Sequence, residues 1–177
     1  MAAELLSPTV ALTRYFVTPD QEHASSDAAG GSGSIQRYGF RIGGCRFVHD
    51  LNLPVELIEL PRRYELPNSS EWFSGLVNLR GNLVPVFDLK RLLGGTGPAG
   101  GRQMLLVIGS GERAAALIID GTPDHISLDT DSRVDEPESV PDILRDQLLG
   151  AYQYAGETWY ETNYQGVFEF LAKRTRE

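Results

Sequence analysis

Three places in this 177-residue chain hold residue types that do chemistry in other proteins. The first is Gly109-Ser110-Gly111-Glu112-Arg113-Ala114, a G-x-G-x-x-A after the apolar run MLLVI, with Asp129 near the distance at which an acid would meet a ribose. That pattern binds a dinucleotide only where its glycines open a helix whose N-terminal N–H groups hold the pyrophosphate. Here AAALIID follows, and a run ending Ile-Ile-Asp before Gly121 and Pro123 suits a strand better. The second is Cys45 with His49, which share one face of an alternating strand with Phe47. A thiol beside an imidazole is a nucleophile–base pair in outline, but a buried thiol and a partly exposed histidine is the arrangement expected. The third is Asp120, which ends an apolar run as a phospho-accepting aspartate does, yet no acidic pair ends an earlier strand and no suitably placed lysine follows. His23 and His125 are scattered, and one cysteine excludes an internal disulfide framework and a Cys-based zinc site. The chain therefore reads as a non-enzyme, with no catalytic residue, metal site or cofactor.

A different stretch holds residues that folding alone does not explain. GLVNLRGNLVPVFDLKRLLGG, residues 75 to 95, is an apolar run of strand character that carries Arg80, Pro85 and Asp88. Gly81-Asn82 is a pair expected at a hairpin turn, which sets residues 76 to 80 antiparallel to 83 to 87. Counting outward, Leu79 faces Val84 and Val77 faces Val86 on one apolar face, while Asn78, Arg80, Leu83, Pro85 and Phe87 share the other. Pro85 has no N–H to donate, so its strand belongs at an edge or bulge. Asp88 is placed to cap a short helix, LKRLL, that ends at Gly94-Gly95. Arg80 has no such structural role.

The elements around that stretch are short and mostly strands. Tyr38, Phe40 and Ile42 alternate with polar residues, and after Gly43-Gly44 the pattern resumes in CRFVHD, a hairpin signal. Leu51 to Leu60 carries Pro54 and reads as an edge or bent strand. QMLLVI and RAAALIID are near-continuous apolar runs, as strands covered on both sides are. Pro141 opens a short helix, ILRDQLL, closed by Gly150; AYQY and TWYET form a hairpin around AGE, and GVFEFLAKR closes the chain as a helix. Trp72 and Phe73 read as core anchors, while Trp159, Tyr152, Tyr154 and Tyr160 are open to two readings, half-buried in the last hairpin or part of a contact patch. Many short strands with closely spaced turns favour small β-barrels over an α/β layer.

Composition narrows the classes. No stretch of about 18 apolar residues exists to span a bilayer and the first residues lack a signal-peptide pattern, so a cytoplasmic protein without direct membrane insertion is expected. A net charge of −8 and the absence of Lys/Arg interleaved with aromatics argue against nucleic acid. Residues 129 to 146 hold seven acids against Arg133 and Arg145 and read as a solvated loop, with a contact surface for a basic partner as the other reading. Residues 17 to 36 are small and polar, so residues 1 to 36 read as a flexible leader.

The series LPNSSEWFSGLVNLRGNLVPVFDLKRLLGG, residues 66 to 95, resembles the signature of the CheW family of bacterial chemotaxis coupling proteins: Leu-Pro, an aromatic before Gly, Asn-Leu-Arg-Gly, a hydrophobic-Pro-hydrophobic strand and Asp-Leu. YGFRIGGCRFVHDLNL and RQMLLVIGSGERAAALIIDG resemble the family's first and central hairpins, so the likeness covers residues 37 to 171. The resemblance implies an all-β fold with short helices, built as two five-stranded SH3-like barrels. It divides the chain into the leader, a first β unit at about 37 to 96, a second at about 102 to 150, a closing hairpin and helix at 151 to 171, and a tail at 172 to 177. It implies a non-enzymatic adaptor that couples methyl-accepting chemoreceptor tips to the regulatory domain of a histidine kinase, held at membrane-associated receptor arrays through those partners. Carried onto this sequence, the partner-binding residues are Asn78, Arg80, Gly81, Leu83 and Pro85, with Glu56 and Leu57 in VELI, where many members have V-x-E-hydrophobic. The long leader and the departures in VELI and in TWYETNYQGVF look more like the variant attached to type IV pilus twitching motility than the flagellar one. The other readings are an SH3-like peptide-binding module of another pathway and, last, a dinucleotide-binding domain.

Overall fold

In the computed structural model, residues 33–93, 101–134, 137 and 140–174 are described. Among them, ten strands are joined in hydrogen-bonded pairs: β1 Ser34–Ile42, β2 Cys45–Asp50, β3 Val55–Glu59, β4 Phe73–Leu79, β5 Asn82–Phe87, β6 Gln103–Ile108, β7 Ala115–Asp129, β8 Arg133–Val134, β9 Leu148–Tyr154 and β10 Glu157–Thr162. Three helices accompany them in the same residues: α1 Leu89–Leu92, α2 Asp142–Arg145 and α3 Tyr164–Arg174. The fold is all-β with short helices, as expected.

β7 organises the molecule because its two ends serve different strand groups. Its first half pairs antiparallel with β6 and, at Ala116 and Leu117, parallel with Val86 and Phe87 of β5. Gly121, at φ +76°, marks the change, and the second half pairs with β1 from Asp120 to Asp129. One group is thus β3, β6, β7, β5 and β4; the other is β7, β1, β2, β10, β9 and the short β8. β10 lies parallel to β2, with Tyr160 opposite Phe47.

The two groups do not follow the expected sequential units. β1 and β2, placed in a first unit at about 37 to 96, pair instead with β7 of the expected second unit and with β10 of the closing hairpin. The reason is the length of β7, which offers its second half as a template to the N-terminal hairpin. Boundaries move too: β1 begins at Ser34 inside the expected leader, and α3 continues through Arg174 past the expected end at 171. Residues 1–32 of the leader, the Gly94-Gly95 helix end and Asp135, Glu136 and Glu138 of the acidic loop lie outside the described residues.

Each group has its own core, and a third lies between them. Val77, Val84, Val86, Leu105, Val107, Ala116 and Ile118 fill the first group. Val48, Ile126, Leu128, Tyr152 and Trp159 fill the second. The alternate residues of the same strands, Leu106, Leu117 and Ile119 with Phe40, Phe47 and Phe87, form the shared layer with Tyr164, Val167 and Leu171 of α3. That is why β6 and the first half of β7 lack hydrophobic alternation: both faces are buried there. Trp72 and Phe73 pack against Phe87 with ring centroids 6.3 and 5.6 Å away, as the core anchors they were expected to be. Tyr152, Trp159 and Tyr160 are buried and Tyr154 lies at the surface, so the last hairpin presents no aromatic patch.

Local details depart from expectation where a backbone group decides. Gly150 does not close a helix; α2 ends at Arg145 and Gly150 lies inside β9, with its strand neighbour Glu161 across the ladder. The closing hairpin turns at Ala155-Gly156, both at positive φ. Asp88 makes no side-chain cap on α1; its N–H donates to the Trp72 carbonyl at 2.8 Å and its Oδ2 lies 3.5 Å from Arg91 Nε.

Candidate partner-binding site

The β4–β5 hairpin turns one residue earlier than its dipeptides indicate. Leu79 pairs with Asn82, Asn78 with Leu83, Val77 with Val84 and Leu76 with Pro85, which leaves Arg80-Gly81 as the corner. Both corner residues have positive φ, +52° and +87°, the requirement of a primed two-residue turn. Asn78 Oδ1 accepts the Gly81 N–H at 2.9 Å and fixes that choice. The pairing moves by two positions, so strand parity is kept: Val77, Val84 and Val86 still face the core, and Leu83, Pro85 and Phe87 still share the other face. Arg80 moves from a strand face to the turn itself.

That second face grades from solvent into the protein. Leu83 is 64% exposed, Pro85 is half-buried and Phe87 is 3% exposed within the shared core. Pro85 lies just beyond the two-residue ladder of β5 with β7, where a missing N–H costs no hydrogen bond on that side. Arg80 reaches from the turn to the edge strand β3 and makes a two-pronged pair with Glu56, Nη1 to Oε2 at 3.0 Å and Nη2 to Oε1 at 2.6 Å. Its side chain is 80% exposed, so the pair contributes at most about 1 kcal/mol to folding. A non-glycine residue at the left-handed corner costs on the order of 1 kcal/mol. Leu57 follows Glu56 along β3 and points to the opposite face, so these two neighbours do not share one patch.

Beside this face lies a cleft of about 740 Å³ that the sequence did not announce. Its walls come from the end of β2 with the β2–β3 connection, the end of β5, the β6–β7 connection, Leu149 of β9, and the end of β10 with α3, with Leu53, Pro54, Pro85, Ile108, Leu149 and Phe168 among the apolar residues. Five distant segments meet there, and only the alternation that set His49 on an apolar face was visible beforehand. His49 is buried, not partly exposed, while Cys45 is the half-buried member of that pair. Burial pushes the Cys45 thiol above its ordinary value and the His49 imidazole below its own. The two do not form a nucleophile–base pair: His49 Nδ1 lies 2.8 Å from the Asp50 carbonyl oxygen.

The remaining chemistry-bearing residues have structural work. Asp120 Oδ2 accepts the Gly43 N–H at 2.6 Å and steadies the β1–β2 turn. Gly111–Arg113 is a single helical turn followed by β7, so the G-x-G-x-x-A stretch opens no helix that could seat a pyrophosphate. That sets the dinucleotide alternative aside. Among the described residues no cluster of His, Cys, Asp and Glu could hold a metal ion, and no helix is long and apolar enough to cross a membrane.

An all-β module of two strand groups around a shared core, with an exposed Asn-Leu-Arg-Gly turn leading into a cleft, is the class the geometry defines. Residues 37–169 match the CheW-like domain, and the chain belongs to that family. It is 35% identical over 95 residues to Protein PilI of Pseudomonas aeruginosa, covering 52% of this chain and 53% of PilI. It is 24% identical over 112 residues to the chemotaxis protein CheW of Klebsiella aerogenes, covering 63% of this chain and 68% of that one. The chain thus spans about half the length of PilI. The crystal structure of the scaffolding protein TtCheW from Thermoanaerobacter tengcongensis superposes with a TM-score of 0.66 at 18% identity, covering 81% of this chain and 94% of TtCheW, and shows the same fold.

Proposed function

We propose that this chain is a non-enzymatic signalling adaptor that couples methyl-accepting chemoreceptor tips to the regulatory domain of a histidine kinase. The observation that carries the reading is Arg80: a strained, exposed arginine at a hairpin corner, beside an apolar row running from Leu83 through Pro85 into a cleft. Folding gains little from an arginine there, whereas an interface gains a charged anchor next to area that can be desolvated. Asn78, Gly81, Leu83, Pro85 and Glu56 form the surface with it; Leu57, on the other face of β3, belongs to a separate contact. Family membership and the likeness to PilI favour a chemotaxis-type pathway, with type IV pilus twitching motility ahead of flagellar output. The adaptor works in the cytoplasm at membrane-associated receptor arrays, held through its partners.

The test is a titration of the purified chain against kinase regulatory domain and chemoreceptor cytoplasmic tip from the same organism. Saturable binding to both, lost to the tip with Arg80→Glu, is the expected result. An SH3-like module of another pathway would bind neither, and that outcome would replace the adaptor reading.

A further inference from the structure

His49 carries an unusual combination for a buried residue. Its side chain is 1% exposed on the wall of the cleft, with its ring 5.3 Å from Tyr38 and 6.1 Å from Phe40 by centroids. A carbonyl oxygen only accepts, so the bond to Asp50 places the proton on Nδ1 and leaves Nε2 as a bare lone pair. Nε2 is buried and has no hydrogen-bond partner in the protein. An orphaned acceptor of this kind costs the free chain stability, and aromatic or aliphatic side chains of similar size would avoid that cost.

The surroundings say what kind of group would satisfy it. The cleft is apolar inside, and its walls carry Asp50, Glu112, Glu161 and Glu169 against Arg113. Arg37 offsets two of these acids, lying 3.2 Å from Glu161 and 3.5 Å from Asp50, so the remaining acidic excess on the walls is Glu112 and Glu169 against Arg113. An apolar space with an acidic surround suits a segment whose apolar side chains are flanked by Lys or Arg. Pro85 lies both on the row that starts at Arg80 and on the cleft wall, so one partner can meet both features.

We propose that His49 is a specificity-determining residue: its bare Nε2 accepts a hydrogen bond from a donor carried by the apolar, basic-flanked segment of the chemoreceptor tip that fills the cleft. The inference rests on the adaptor reading above. Nε2 itself has almost no accessible surface, so the donor reaches it only as the partner's side chain enters the cleft and displaces the wall beside the imidazole. An apolar intruder alone would leave the acceptor orphaned, and discrimination between partners follows from that penalty.

Two variants and one measurement on the unaltered protein test it. His49→Phe removes the acceptor and should keep or raise the melting temperature while weakening binding of the receptor tip at least tenfold. His49→Gln returns an acceptor and should recover most of that loss. In the unaltered chain, the ¹⁵N resonance of Nε2 should move when saturating tip is added, a readout that does not depend on any variant folding. Binding by the unaltered chain with the resonance unmoved and His49→Phe within twofold would overturn this inference and leave the adaptor reading standing. No binding by the unaltered chain to tip or kinase domain would overturn both.

Discussion

At the scale of single residues, position 80 separates what folding wants from what the surface offers. A glycine or asparagine would hold φ +52° with less strain, and the exposed pair with Glu56 does little to offset the difference. Arg80→Gly should therefore raise stability by up to about 1 kcal/mol in urea unfolding while weakening receptor-tip binding at least tenfold. Unchanged binding would return Arg80 to the ordinary surface. His49 makes a second residue-scale prediction, in pH. Desolvation holds its folded-state pKa below the ordinary 6.5, outweighing the raising effect of the Asp50 bond and charge. Below about 6.5 the unfolded chain takes up a proton that the folded chain refuses, so stability falls as pH drops through that window and is level above it. Asp50, whose carboxyl is lowered chiefly by the Asn52 N–H, acts only below its ordinary 3.8 and does not overlap. Urea midpoints at pH 7.5, 6.5 and 5.5 should show His49→Phe gaining on the unaltered chain as pH falls; a constant gap would assign the acid sensitivity elsewhere.

At the scale of elements, the sequence was most informative where the pattern is local. The Gly43-Gly44 turn lies between Ile42 and Cys45 as read, β3 after Pro54 is an edge strand as expected, and the unbroken hydrophobicity of β6 and of the first half of β7 does mean two buried faces. The β4–β5 turn shows the limit. Arg80-Gly81 and Gly81-Asn82 both place a glycine at the corner, and only Asn78 and the pairing of Val77 with Val84 choose between them. Because the change is by two positions, the valines keep the core face and Leu83 and Pro85 keep the other, while Arg80 leaves that face for the turn. Val77→Asp and Arg80→Glu, three residues apart, should accordingly part company. The first sets a carboxylate among Val84, Val86 and Leu105 and should cost roughly 3 kcal/mol or more, or prevent folding. The second sets a carboxylate beside Glu56 in solvent and should stay within about 1 kcal/mol. Equal losses in circular dichroism melts would mean that the outer face is structural. Gly75→Ala gives an independent check on the same hairpin: at φ +109° an added Cβ would run into the Tyr64 carbonyl oxygen, which holds the Leu76 N–H at 2.9 Å, so a loss of at least about 2 kcal/mol is expected.

At the scale of the whole molecule, the interleaving of the two strand groups left no local trace, because pairings such as Tyr160 with Phe47 join residues more than a hundred positions apart. The cleft was invisible for the same reason, and its acidic walls were hidden inside a net charge of −8. Charge is distributed unevenly over the chain. Residues 62 to 91 hold Arg62, Arg63, Arg80, Lys90 and Arg91 against Glu65, Glu71 and Asp88, while 129 to 146 hold seven acids against two arginines. Much of the basic excess is already engaged, Arg80 by Glu56 and Arg91 by Asp88 and Glu71 at 3.5 and 3.8 Å, so the arginine at the turn acts as a directional anchor and not as part of a diffuse positive field. Arg80→Glu should then impair receptor-tip binding more than kinase binding at both low and high salt. Neutralising Asp135, Glu136 and Glu138 together should change neither affinity by more than about threefold, roughly 0.65 kcal/mol, because single charges outside a close pair contribute little and salt screens them. Titrating both variants against kinase regulatory domain and receptor tip at two salt concentrations separates the cases. A tenfold loss in the acidic triple variant, with Arg80→Glu binding both partners normally, would move the working surface from the hairpin corner to the acidic segment.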